Sequence, residues 1–249
     1  MLKDDLIMFK DFKFIKMFKH DNPMEPGGDN GGDDDFWSFL MFMRMMGKAI
    51  GALEDLILEI NDLEKAKEKI CYLIMNPEID GIGLSEIPSR VFYDMVIVYA
   101  IPMKGSNNKM VATLVNNEMM NAWNVTENDL YNYARKNTPK LLVAKTDTCL
   151  DHSFIKEQED IENCLIISNE QHTHGSTTIL YEDFLKNIAD ENEGFMYVIP
   201  YSVEETVVII SNKKIDKKKL YSEIKKEKEL ILSSFVYEYN RETNQLELN

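Results

Sequence analysis

The stretch Lys109 to Pro139 (KMVATLVNNEMMNAWNVTENDLYNYARKNTP) restricts the fold more than any other part of the chain. It reads as a strand, a short helix and a sharply bounded second helix in immediate succession. Thr126 is placed to cap the second helix, with Asp129 three residues on as a shortened capping box. Asn137-Thr138-Pro139 predicts its end, because the ring of a proline crowds the preceding turn. Leu130, Tyr131 and Ala134 then share one face. This unit specifies a kind of domain and no reaction.

The surrounding segments predict an α+β fold with a mixed or antiparallel sheet flanked by helices. Val91–Ile101 and Lys109–Val115 read as strands, joined by a turn at Gly105-Ser106-Asn107-Asn108. Helices are expected at Asn117–Trp123, Glu127–Asn137, His152–Asn163, Tyr181–Glu191 and Asp216–Glu229. Further strands are expected at Cys164–Ser168, Thr177–Leu180, Phe195–Ile199, Glu205–Ile210 and Ile231–Tyr239, the last paired with Gln245–Leu248. Strands come in runs with helices between them, which favours antiparallel or mixed pairing over a doubly wound parallel sheet.

The 249 residues suffice for one large domain or two small ones. A 44% hydrophobic content supplies a core that a disordered chain would lack. Formal charge is -15, from 43 acidic against 28 basic residues, which opposes binding to a phosphate backbone. An acidic surface that imitates DNA to occupy a basic protein is the converse reading. The odd count of cysteines, Cys71, Cys149 and Cys164, without CxxC spacing, gives no disulfide framework and suits a reducing cytoplasmic interior.

Three regions follow one another at the N-terminus. Residues 1–35 comprise a Lys/Phe-rich start, which lacks the uninterrupted apolar core and cleavage site of an export signal, and an acidic Gly/Pro linker. Residues 36–76 form an apolar and then amphipathic helical extension, with a long helix expected over Glu54–Tyr72. Phe36–Leu53 is barely long enough for a membrane span, and Arg44 and Lys48 would each cost about 2.5–3.5 kcal/mol at a bilayer centre. A core or oligomer helix therefore fits better, or a Met-lined surface that adapts to a partner, with Trp37, Met41, Met43, Met45 and Met46 as its contact residues. Residues 77–249 form the α+β domain, divisible into similar halves at 77–150 and 151–249.

Four segments, ICYLIMNPE, IPSRVFYDMVIVYAIPM, MVATLVNNEMMNAWNVTENDLYNYARKNTPKLL and FMYVIPYSVEETVVII, occur in that order. Over roughly residues 65–240 they resemble the uncharacterised bacterial family catalogued as domain of unknown function 5688. The shared motifs are structural, so the resemblance implies the fold and no activity. The family is common in gut Clostridia and their mobile elements, which implies an accessory or host-interaction role. The first 60 or so residues depart from the family's usual asparagine- and strand-rich beginning.

Candidates for chemistry are sparse. His172 and His174, with Cys164 upstream, carry the donor types of a zinc site, but a hairpin turn closed by Gly175 explains the same residues and no metal is assigned. Cys149 and His152 could supply half of a nucleophile and base pair, without an orienting partner. No phosphate loop, dinucleotide fingerprint, HExxH or GxSxG occurs, so no catalytic residue or cofactor is assigned. The Lys-rich run IDKKKLYSEIKKEKE has an inward stripe of Leu220, Ile224 and Leu230, which predicts a surface helix rather than a nucleic-acid surface. The favoured function is non-enzymatic binding of another protein, or self-association, through the Met-rich helix. The alternative is an enzyme whose site gathers scattered carboxylate, His and Tyr residues. A cleft with convergent polar groups would favour the enzyme, and an exposed apolar patch the binder.

Overall fold

The computed structural model describes residues 60, 62–80, 83–104, 110–149, 160–227 and 232–248, all within one compact unit, Glu54–Asn249. The Lys/Phe-rich start, the linker and the Met-rich segment lie outside the described residues. Two antiparallel sheets with helices against them form an α+β fold.

A single turn of helix, α1 (Leu63–Ala66), is N-capped by Asp62, whose carboxylate accepts from Glu64 N at 3.0 Å. The helix expected through Tyr72 stops here, and Cys71–Met75 is strand β1. The reason lies in burial: Cys71, Tyr72, Leu73 and Ile74 are all buried, so a continuous apolar run forms a strand covered on both faces. Helix α2 (Pro77–Asp80) follows, with proline at its first position, where no N–H is needed.

The single strand expected over Val91–Ile101 is a hairpin. Strand β2 (Ser89–Phe92) turns at Tyr93-Asp94 into β3 (Met95–Lys104), with Phe92 opposite Met95. Along one edge β3 pairs with β1, and along the other with β2 at its start and with β4 (Met110–Leu114) at its end. Helix α3 (Asn117–Ala122) is capped by Asn116, and α4 (Glu127–Leu141) by Thr126, where both halves of the Thr126/Asp129 capping box form. Helix α4 does not stop before Pro139 but carries it in its last turn. The bond lost there belongs to the carbonyl of Arg135, an exposed residue, and Leu142 N still bonds Thr138 O at 2.8 Å.

The second sheet is built from β5 (Ala144–Thr148), β6 (Ile161–Asn169), β7 (Phe195–Pro200), β8 (Thr206–Ser211), β9 (Tyr237–Asn240) and β10 (Gln245–Glu247), in the spatial order β10-β9-β7-β8-β6-β5. Of the helix expected at His152–Asn163, the described part is a turn residue, Asp160, followed by Ile161–Asn163 of β6. The strand expected at Thr177–Leu180 is a 3-10 helix, Gly175–Leu180. Its buried hydroxyls decide this: Ser176 Oγ donates to Ser202 O and Thr178 Oγ1 to Gly175 O, so the segment bonds through side chains and not through a ladder. Helices α5 (Phe184–Glu191) and α6 (Lys217–Glu227) complete the fold, α6 with Leu220 and Ile224 fully buried.

Alternation sets the core. Met196, Val198, Val208 and Ile210 pack with Leu185 and Ile188 of α5, while Tyr197, Ile199, Val207 and Ile209 pack with Leu220 and Ile224 of α6. In the first sheet Tyr72, Ile97 and Tyr99 face Leu130 and Ala134 of α4. The free edge of β1 is sealed by two hydroxyls: Thr138 Oγ1 accepts from Tyr72 N at 3.0 Å and Thr177 Oγ1 from Ile74 N at 3.2 Å. These bonds satisfy an edge that would otherwise pair with another chain.

Candidate functional site: an aromatic cleft

Where the β2–β3 turn, α4, the start of α5 and the β9–β10 hairpin converge, a cavity of about 480 Å3 opens to solvent. Five aromatic side chains line it: Phe92, Tyr93, Tyr131, Tyr181 and Tyr239. Glu182, Asp183, Lys186, Asn244 and Gln245 supply the polar groups.

Each ring is held by its own surroundings. The Tyr181 hydroxyl donates to Leu142 O at 2.6 Å, and its ring lies 6.4 Å from Tyr72 and 6.3 Å from Phe184. Tyr131 stacks on Tyr72 at 6.1 Å, and the guanidinium of Arg90 sits 3.9 Å from its ring centroid. Arg90 is itself fixed by a forked pair with Glu127, Nε to Oε1 at 3.1 Å and Nη2 to Oε2 at 2.9 Å, and Glu127 also accepts from the Tyr99 hydroxyl. The Tyr239 hydroxyl reaches Asn244 Oδ1 at 3.1 Å.

Tyr93 is the most constrained of the five. Its φ is 58°, in the left-handed region that a bulky side chain avoids, yet the residue is 40% exposed. Its hydroxyl donates to Leu246 O, and its ring packs 5.1 Å from Phe92 and 4.9 Å from Tyr237. The next residue locks the turn: Asp94 Oδ1 accepts from Tyr237 Oη at 2.8 Å and Ser233 Oγ at 2.7 Å, and Oδ2 from Ser234 N at 2.6 Å. Ser233 also accepts from Phe235 N, so this Ser, Tyr and Asp group is committed to holding the two sheets together.

Asp183 (φ 59°) and Asn244 (φ 55°) are left-handed as well, so the cleft contains three of the six non-glycine residues of positive φ among the described residues. Strained backbone concentrates where a surface must hold a set shape. Burial pushes the phenols of Tyr93, Tyr181 and Tyr239 up, so they remain protonated at neutral pH. Among the described residues lining the cleft none is Ser, Thr, Cys or His.

The profile of a protein family described as "Family of unknown function (DUF5688)" matches residues 42–241. The chain belongs to that family. No curated protein and no solved structure matches it. The DUF5688 match begins at Phe42, upstream of residue 65, so most of the Met-rich segment falls inside the family and is not a departure from it. Of the cleft, only Asn244, Gln245 and Leu246 lie beyond the match.

The described residues singled out by sequence lie elsewhere. Cys164 is buried on the α6 side of β6, whereas His172 and His174 follow the end of that strand at Asn169. Asn169 is five residue steps along the strand from Cys164, about 17 Å at the rise of a strand. Among the described residues no three His, Cys, Asp or Glu side chains are grouped to hold a metal. The two histidines belong to a loop organised by the buried Asn169, whose amide donates to Thr173 O and accepts from Gln171 N and Thr173 N. Gly175 does not close a hairpin; it starts the 3-10 helix. Cys149 lies opposite Cys164, its N–H bonded to Cys164 O at 2.8 Å, and the thiol contact between them together with burial pushes the Cys164 thiol up. His152, and Trp37, Met41, Met43, Met45 and Met46, lie outside the described residues. No helix among the described residues is long and apolar enough to cross a membrane.

Sequence reasoning missed the cleft because its rings come from four distant segments. One local signal was present: FYDM places a two-residue turn of Tyr and Asp inside an apolar run that otherwise reads as one strand.

Proposed function

We propose that the protein is a non-enzymatic binding protein that recognises its ligand in the aromatic cleft. The observation that carries this reading is the coincidence of a strained tyrosine, Tyr93, with five aromatic rings around one cavity. Rigid aromatic side chains give large contact area at low entropic cost. The chemistry of the walls favours binding over turnover: the phenols stay neutral, Glu182 and Asp183 are exposed to water, and no nucleophile and base stand together there. Association through the Met-rich segment is compatible with this reading.

The test is a fragment screen on the full chain by 15N–1H correlation NMR, with one-dimensional spectra of each fragment. Shifts concentrated at Tyr93, Tyr181–Lys186 and Asn244–Leu246, with the fragments unchanged, are expected. Shifts confined to other surfaces, or conversion of a bound fragment, would overturn the reading.

A further inference from the structure

We infer that the cleft takes an organic cation, an alkylammonium or guanidinium group, seated against the aromatic rings and opposite Asp183; this rests on the binding reading above. Charge bookkeeping around the cavity points to it. Glu182 is neutralised by Arg135 at 2.8 Å, and Lys186 by Asp190 at 2.5 Å, one turn along α5. Asp183 takes part in no ion pair among the described residues and shares the field of Lys186 with Asp190, which leaves this group of three net negative. Asp183 stands at the N-cap position of α5, where an aspartate ordinarily accepts from the first-turn N–H groups, yet its left-handed backbone leaves the side chain without a capping bond.

A carboxylate beside aromatic faces is the arrangement that selects a weakly hydrated cation, because the ring quadrupoles and the charge act in the same sense. The wall already holds one such contact, the guanidinium of Arg90 over Tyr131. The field of the whole chain, formal charge -15, also draws cations toward the site. An anionic ligand would meet the two carboxylates of Asp183 and Asp190 around the single ammonium of Lys186.

Two sources offer this chemistry, a free amine and a basic side chain of a peptide. The experiment titrates the full chain with choline, with its neutral isostere 3,3-dimethylbutan-1-ol, and with N-acetyl-lysine methylamide, reading the cleft amides by NMR. Choline or the lysine derivative should bind roughly tenfold more tightly than the neutral isostere, as a mid-range cation–π energy implies. The tighter of the two cations identifies the source. Asp183→Asn, which tolerates the left-handed backbone, should remove most of that preference, lowering the affinity of the cations far more than that of the neutral compound. Equal or tighter binding of the neutral isostere would overturn the inference while leaving the cleft a binding site. Failure of all three compounds would overturn it too, and the fragment screen then decides separately whether the cleft binds.

Discussion

The Tyr237 hydroxyl donates to Asp94 Oδ1 across 2.8 Å, joining the turn between β2 and β3 of the first sheet to strand β9 of the second. Tyr237 is fully buried, and burial pushes its phenol up, so it remains a donor at every pH at which the fold persists. The same carboxylate holds Ser233 and the N–H of Ser234. Removing it leaves a buried phenol and a buried serine hydroxyl without their shared acceptor. Asp94→Ala should cost about 3 kcal/mol, a fall of roughly 10 °C in Tm for a domain of this size. Thermal unfolding by circular dichroism measures this, and a loss below about 1 kcal/mol would show that the tie is replaceable by water.

Alkaline stability follows from the buried phenols. Burial raises Tyr72, Tyr99, Tyr181 and Tyr237 above the ordinary value of 10.0. A group whose folded value is raised contributes stability that is whole below its unfolded value and is lost as pH climbs toward the folded one. Stability should therefore hold to about pH 10 and fall steeply above it. Absorbance at 295 nm should show exposed tyrosines ionising reversibly first, and the buried ones only together with unfolding.

Gly175 is fixed by space and not by φ. A Cβ there would strike Glu204 O and Ser168 Oγ and lie 2.8 Å from Ser168 Cα. The backbone of the 3-10 helix, β6 or the β7–β8 turn must then shift. Gly175→Ala should destabilise by about 3 kcal/mol, read from urea unfolding. A neutral result would mean that the 3-10 helix packs less closely against β6.

The cap on α4 allows a finer check. Thr126 Oγ1 accepts from Asp129 N at 3.2 Å, and Asp129 Oδ2 accepts from Thr126 N at 2.9 Å. Thr126→Ala should cost about 1 kcal/mol. Bonds from Thr126 hold the Asp129 carboxyl below its ordinary value, so its contribution is present above pH 3.8 and disappears as pH falls further. The difference in stability between the two proteins should narrow in that acid range.

Local rules were legible in the sequence where one segment determined its own structure. The Thr126/Asp129 capping box, the apolar stripe of the Lys-rich helix and the terminal hairpin all came from short-range chemistry. Where tertiary context chose, the pattern misled. Cys71–Met75 is apolar at every position and fits a helix or a buried strand equally, and the pairing with β3 decides it. Ser176, Thr177 and Thr178 have strand-forming composition, but their hydroxyls found partners in Ser202 O, Ile74 N and Gly175 O. The cleft was illegible for a related reason: Tyr93, Tyr131, Tyr181 and Tyr239 are dozens of residues apart, and each alone looks like core.

Tyr93 provides the most direct test of the claim that this cleft is a recognition site held in strained form. Tyr93→Gly relieves a left-handed backbone, worth about 1 kcal/mol, which offsets part of the packing and hydrogen bond lost with the ring. Fragment binding at the cleft should fall at least about tenfold by NMR titration while Tm changes by only a few degrees. Undiminished affinity in a folded Tyr93→Gly protein would contradict the account.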